Sequence, residues 1–257
     1  MTSATQILTL HDLIHLEMGG SGARRRRLYY EYAVKPAIKR AGSVLTVSET
    51  SAGHIRTWLQ DSSVEVINVG NGCSDVFAHS RSSKQGDYLL YVGNLKAHKN
   101  FDVLLRAIRL RPDYRLVAVV SDRINAEMLI EANGLQGQVK VVSDLEDTQL
   151  AGLYQGAIGL VLPSVLEGFG LPAVESLACG RPVAFFRGCQ SVAEIVGLHG
   201  VAVENHGSGE EWAEAMDQLY GLQGSFEAPG RLWRDQYTWA NVSSRVESHL
   251  KTVMELR

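Results

Sequence analysis

The sequence predicts an α/β protein whose larger part is a doubly wound parallel sheet. Six short runs rich in Val, Leu and Ile recur from Tyr88 onward, with stretches of helical period between them, and that alternation is the pattern of repeated βα units. Each run is apolar nearly throughout rather than alternating, as expected of strands buried on both faces. The scale agrees: 257 residues, 45% of them hydrophobic, suffice for one large domain or two small ones.

Taken in order, ILTL (7–10), SVLTVS (43–48) and EVINVG (65–70) read as strands, with a basic helix RRRRLYYEYAVKPAIKRA (24–41) and a helix SAGHIRTWL (51–59) among them. Three strands make only a thin sheet. The segment HSRSSKQGD (79–87) is polar and aperiodic, so it reads as a linker. Strands follow at 88–94, 114–121, 139–143, 159–164, 182–186 and 199–204. Helices are expected over 99–110, 124–133, 146–157, 171–179, 190–197 and 208–221, several ending near a glycine suited to a left-handed cap. After Gly230 the tail carries one long helical pattern and no further strand. The expected organisation is therefore a partial N-terminal portion (1–80), a complete sheet domain (81–230) and a C-terminal helix (231–257) packing back toward the N-terminal portion.

Composition excludes several classes. With 25 Lys+Arg against 28 Asp+Glu and a net charge of -3, the global basic field of a nucleic-acid-coating protein is missing, so no nucleic-acid partner is expected. No apolar run reaches the roughly 18 residues that span a bilayer, and the first residues lack the pattern of a signal peptide. The expected location is cytoplasmic. Cys73, Cys179 and Cys189 are odd in number, far apart and without a C-x-x-C pair, so they read as reduced packing residues rather than zinc ligands.

A sheet of order 3-2-1-4-5-6 opens its ligand crevice above strands 1 and 4, where the winding reverses. After the first of these runs comes GNLKAHKN (93–100), a glycine turn with Lys96, His98 and Lys99 clustered before a helix expected to start near Lys99. After the fourth comes PSVLEGFGLPAVESLACG (163–180), where Gly168 and Gly170 flank Phe169, a helix begins at about Leu171, and Pro172 sits in its first turn. Glycines let backbone approach a ligand closely, and the N–H groups of a helix start favour an anion such as a diphosphate. A lysine about 4 Å from a phosphate adds about 4 kcal/mol of attraction at an effective dielectric near 20. Glu175, on a helix otherwise reading LPAV-SLAC, is a carboxylate among apolar neighbours that requires a partner or a ligand. Glu167 precedes the turn and is expected to point into the crevice. Periodicity by itself supports an anion- or nucleotide-binding α/β domain.

These residues resemble a known family. Glu167-G-F-G-L-P-A-V-Glu175 has the E-x7-E form of retaining GT-B glycosyltransferases, in particular glycosyltransferase family 4 (group 1). The neighbouring segments are similar to that family's in the same order: YVGNLKAHKN, LYQGAIGLVLPS, ACGRPVAFFRGCQSVAEIVG, and upstream AGSVLTVSETSAGHI and EVINVGNGCSDVF, with YTWANVSSRV as the closing aromatic helix.

The resemblance implies a GT-B fold, here one complete Rossmann-like C-terminal domain plus a shortened Rossmann-like N-terminal portion. It implies a retaining hexosyltransferase using a nucleoside diphosphate sugar as donor substrate, with no cofactor and no metal. Lys99, beside Gly93 and Asn94, would bind the diphosphate and Glu175 the ribose hydroxyls. Glu167 with the backbone of Gly168, Phe169, Gly170 and Leu171 would hold the donor sugar and phosphates, and Asp144 and Leu145 would border the base. His11, in TLHDLIH, matches a histidine near the transferred sugar; from sequence alone it reads equally well as a polar residue ending a strand. His11, Lys99 and Glu167 are the expected catalytic set. The acceptor would be a saccharide or a lipid-linked glycan.

Two departures qualify the expectation. The family commonly carries an arginine directly after the V-G, and this chain has Asn94 there, a variant associated with mannosyl- and rhamnosyl-type transferases. The match also begins well inside the N-terminal domain, so residues 1–70 are expected to bind a second copy or a partner chain that covers the open sheet. A non-catalytic nucleotide-sugar-binding subunit and a sugar-nucleotide epimerase stay open beside the transferase. The seven Lys/Arg of 24–40, interleaved with Tyr29, Tyr30 and Tyr32, read either as a solvated face or as peripheral contact with anionic lipid at the inner membrane face.

Overall fold

The apolar runs become two parallel sheets. The computed structural model describes residues 6–17, 22–79 and 86–255, and the chain divides into two units: Met1–Gly72 with Glu167–Phe169 and Gln236–Arg257, and Cys73–Leu166 with Gly170–Asp235.

In the first unit, β1 (Leu8–Thr9), β2 (Ser43–Thr46) and β3 (Glu65–Asn68) lie parallel in that order. Leu8 stands opposite Val44, and Val44 opposite Val66. All four residues of β2 are buried, the polar Ser43 and Thr46 included. A short α1 (Ile14–Glu17), which sequence patterning did not suggest, follows β1. The basic segment is helical from α2 (Ala23–Tyr29) to α3 (Lys35–Ala41), with one π turn at Tyr30–Val34 where the Lys35 N–H reaches back five residues to the Tyr30 carbonyl. Pro36 accounts for the widening: it offers no N–H, and its ring crowds the carbonyl four residues earlier. Ser48 caps α4 (Glu49–Leu59), its Oγ accepting the Ser51 N–H at 2.9 Å. Ile38, Val44, Ala52, Ile55 and Leu59 form the centre of this core.

The second unit follows the βα rhythm expected of it. It comprises β4 (Tyr88–Gly93), α5 (Phe101–Arg109), β5 (Arg115–Val120), α6 (Arg123–Ala132), β6 (Val139–Val142), α7 (Asp147–Gly156), β7 (Leu160–Leu162), α8 (Leu171–Ala178), β8 (Val183–Phe186), α9 (Gln190–Val196), β9 (Gly200–Val203), α10 (Gly209–Gly221) and α11 (Arg231–Asp235). Every strand pair is parallel and the order is β6-β5-β4-β7-β8-β9. This is the 3-2-1-4-5-6 arrangement, and its winding reverses between β4 and β7. Leu89, Leu104, Leu116, Trp212 and Met216 sit in one continuous core. Most of the linker expected over 79–87, residues 80–85, lies outside the described residues.

The tail corrects one expectation. Its single helical pattern is two helices, α11 and α12 (Trp239–Glu255), because the chain leaves the helix at Gln236–Thr238 and restarts with the Thr238 Oγ1 accepting the Asn241 N–H at 3.3 Å. Trp233 of α11 donates to the Ile195 carbonyl in the second unit at 3.1 Å. In the first unit, α12 places the buried His249 2.9 Å from Ser43 Oγ and lets Arg245 donate to the Val69 carbonyl at 3.2 Å. The Trp239 ring lies so close to Gly72 that a Cβ there would collide with it. Among the described residues no helix is long and apolar enough to cross a membrane.

Candidate functional site

The winding reversal brings two loops of the second unit together. After β4, Tyr91 Oη donates to the Asn94 carbonyl at 2.7 Å, and a Cβ on Gly93 would lie 2.7 Å from that hydroxyl, so glycine is the residue that fits. Asn94 Oδ1 accepts the Lys96 N–H at 3.0 Å, an Asx-type turn in which the side chain closes the loop on itself. A single 3₁₀ turn, Ala97–Lys99, and a left-handed Asn100 (φ 52) separate this turn from α5. The helix therefore starts at Phe101, two residues later than expected, and Lys99 stands half-buried at the end of the 3₁₀ turn while Lys96 is exposed. After β7, the Val165 N–H donates to the His98 carbonyl at 2.8 Å and ties the two loops together.

Gly170 opens α8 with φ +116, and a Cβ there would sit 2.9 Å from Val192 Cγ2; both the backbone angle and the space require glycine. Leu171 and Pro172 form the first turn, where N–H groups have no intrahelical acceptor. On the next turn Glu175 is only 7% exposed, and its Oε2 accepts a 2.7 Å hydrogen bond from the fully buried Tyr154 of α7. Burial pushes the Glu175 carboxyl up to about 7, the Tyr154 hydrogen bond pulling it down and the negative Asp147 pushing it further up. Burial also raises the Cys73 and Cys179 thiols to about 12, with Glu175 adding to the rise, so both stay protonated at neutral pH. Asp144 is left-handed (φ 56) and exposed, and Leu145 half-buried, in the loop between β6 and α7.

The remaining candidates belong to the first unit. The Gly168 carbonyl accepts hydrogen bonds from Ser48 Oγ at 2.7 Å and Ser51 Oγ at 2.9 Å, both buried. A Cβ on Gly168 would come within 2.8 Å of the Asp12 Cβ and 3.1 Å of the His11 carbonyl. The HD segment after β1 thus backs directly onto the Glu167–Phe169 loop. His11 is exposed, Glu167 half-buried, and Phe169 meets the Tyr237 ring edge-on at 5.9 Å.

The fold therefore gathers Gly93, Asn94, Lys99, Gly170, Leu171 and Glu175 about the winding reversal of the second unit, with Asp144 and Leu145 beyond the outer strand β6. It gathers His11, Glu167, Gly168 and Phe169 in the first unit. Ser48, Ser51 and Tyr154 escaped the sequence reading as individual site residues. The first two lie in a segment where Ser-x-x-Ser signals only a helix cap, and Tyr154 lies in an apolar helix pattern that signals only core.

A family model described as glycosyl transferases group 1 matches residues 75–231, the whole of this sheet and its reversal loops. The chain belongs to that family. It is 25% identical over 93% of its length to the O-antigen chain mannosyltransferase B of Escherichia coli and covers 68% of that protein. Two further curated relatives are covered to 51% and 40% of their length, so the chain spans about half of them or less. In fold it is similar to the sucrose-phosphate synthase of Thermosynechococcus elongatus, with a TM-score of 0.83 at 20% identity, over 98% of this chain and 69% of that one. It is similar also to Anabaena HepE, solved in complex with UDP and glucose, with a TM-score of 0.77 at 17% identity over 96% and 71%. These likenesses establish the α/β fold of GT-B glycosyltransferases.

Proposed function

We propose that this chain transfers a hexose, of mannose or rhamnose type, from a nucleoside diphosphate sugar to a hydroxyl of a saccharide or lipid-linked acceptor, with retention of anomeric configuration. The observation that carries this reading is the tying of the Lys99 loop to the loop that runs into the glycine-led start of α8, with a buried carboxylate on the next turn. That combination suits a diphosphate followed by a ribose. Lys99 and the first N–H groups of α8 stabilise the leaving diphosphate, Glu175 accepts from the ribose hydroxyls, and Asp144 and Leu145 border the base. Glu167 with the Gly168–Leu171 backbone is assigned to the donor sugar, and His11 to catalysis beside Lys99 and Glu167. The acceptor oxygen attacks C1 on the face that the diphosphate leaves; the C1–O bond to phosphate breaks, the new C1–O bond forms, and the acceptor proton passes to the departing phosphate oxygen. The name of the Escherichia coli relative favours a mannose-type donor, and the UDP and glucose bound by HepE support a nucleoside diphosphate sugar in this fold.

A non-catalytic nucleotide-sugar-binding subunit is the second reading, favoured by Asn94, whose side chain closes its own turn and supplies no cation. Incubation with GDP-mannose, dTDP-rhamnose and UDP-glucose in the presence of saccharide and polyprenyl-linked acceptors separates the readings. A glycosylated acceptor supports transfer, binding without turnover supports the subunit, and an altered free sugar nucleotide identifies an epimerase.

Residues 1–70 are proposed to bind a second copy of the chain or a partner chain. The unpaired outer edge of β1 among the described residues and the exposed Leu28, Tyr29 and Tyr32 support that reading. The run Arg24–Arg27 beside them suits peripheral contact with an anionic bilayer, which salt-sensitive sedimentation with phosphatidylglycerol vesicles would register.

A further inference from the structure

A carboxylate offers two oxygens and about four acceptor positions. At Glu175 one oxygen is already committed. Tyr154 Oη donates to Oε2 at 2.7 Å, a well-formed O–H···O hydrogen bond. The donor is itself held: Tyr154 is fully buried, and its ring packs edge-on against Phe77 at 5.9 Å and 83°. With its Cα fixed in α8 and Oε2 fixed by the phenol, the carboxylate loses its remaining rotation about the last side-chain bond. One oxygen, Oε1, is left to accept from a ligand.

We propose that Tyr154 is a positioning residue for donor binding: its hydroxyl locks Glu175 through Oε2 and leaves Oε1 as the fixed acceptor for the ribose hydroxyls. This rests on the role proposed for Glu175 above. The surroundings make the phenol's part distinct. Burial and the negative Asp147 of α7 favour the protonated carboxyl, and the Tyr154 hydrogen bond opposes them. Cys73 and Cys179, the other titratable groups facing it, are held protonated by burial with Glu175 adding to the rise. Tyr154, its own ionisation pushed well above the usual range by burial, remains a donor throughout the neutral range. Tyr154 therefore favours the accepting form of the carboxylate, against burial and Asp147, as well as fixing its position.

The test is titration of UDP, GDP and dTDP into the full chain between pH 5.5 and 8.5, following whichever nucleotide binds the unaltered protein. The expected affinity rises with pH through about 7, where Glu175 ionises. Tyr154→Phe keeps the ring and removes the hydroxyl; it should weaken binding about tenfold and move the midpoint of the pH profile upward, a shift that a merely structural role would not produce. Should Tyr154→Phe fail to fold, 3,5-difluorotyrosine at 154 preserves the shape with a stronger donor and should move the midpoint downward. Glu175→Gln should weaken binding and flatten the profile. If Glu175→Gln does so while both changes at 154 leave affinity and midpoint unaltered, the positioning role is overturned and the Glu175 assignment stands. If Glu175→Gln changes nothing, the Glu175 assignment falls and the positioning role falls with it.

Discussion

Ser48 Oγ donates a 2.7 Å hydrogen bond to the carbonyl oxygen of Gly168, 120 residues further along the chain. The same oxygen serves as the Ser48 helix cap, accepting the Ser51 N–H at 2.9 Å. Ser51 supplies the second hydroxyl to Gly168 without any capping duty. The backbone of the loop carrying Glu167 is thus fixed by two buried side chains at the start of α4.

The two serines should therefore differ on substitution. Ser51→Ala removes one of two bonds to a buried carbonyl and is expected to cost about 1 kcal/mol. Ser48→Ala loses its bond to the carbonyl and the cap together and is expected to cost about 2 kcal/mol. Urea unfolding of both variants checks the ranking; equal losses would mean that the cap contributes nothing. Sugar transfer should fall in both, because the Glu167 loop is held by one hydroxyl instead of two.

How much of this could be read beforehand depended on which physical signal each feature leaves in the chain. The sheet of the second unit was legible because its inner strands are buried on both faces: Leu89, Leu90 and Tyr91 are all fully buried, so YLLYVG cannot alternate. Glycines 168 and 170 and Glu175 were legible because each breaks the local pattern for its position. The π turn before Pro36, the short α1 and the break at Gln236–Thr238 left no periodic signal, since each spans only three to five residues, too few to establish a period. Tyr154 beneath Glu175 and the serines on Gly168 are tertiary contacts across 21, 120 and 117 residues, and no window along the sequence contains both partners.

Lys99 should discriminate between ligands by their phosphates. Lys99→Ala is expected to weaken binding of a nucleoside diphosphate by about 1–3 kcal/mol, the range for a charge-assisted hydrogen bond, while the bare nucleoside binds almost unchanged. Calorimetry with UDP and uridine, or with GDP and guanosine, measures the difference. Equal losses for nucleoside and diphosphate would remove Lys99 from the diphosphate site.

Leu28, Tyr29 and Tyr32 are 48%, 62% and 77% exposed on one stretch of helix, and large apolar side chains clustered in this way favour association. Light scattering across a dilution series is expected to give an apparent mass above one chain that falls on dilution. The triple change Leu28→Ser, Tyr29→Ser, Tyr32→Ser should give one chain's mass at every concentration. A single-chain mass throughout for the unaltered protein would refute association through this region.

Glu175 should make ligand-free stability depend on pH in the direction opposite to most carboxylates. Its pKa stands at about 7 in the folded chain against the ordinary 4.5, with burial the largest cause. Between those two values the folded state holds a proton that the unfolded state has released, so stability must fall as pH rises through this window. The loss is complete above about pH 7 and amounts to about 3 kcal/mol at 1.36 kcal/mol for each unit of difference. Below pH 4.5 both states are protonated and the penalty vanishes. Glu175→Gln keeps an acceptor for Tyr154 Oη and carries no titratable group, so it should match the unaltered protein near pH 4.5 and exceed it at pH 8. Denaturant unfolding of both proteins at pH 4.5, 6 and 8 measures the widening gap. A saturating nucleoside diphosphate should narrow the gap at pH 8, since ribose hydroxyls donating to the carboxylate stabilise its charged form. A constant difference at all three pH values would mean that burial does not hold this carboxyl protonated in the folded chain.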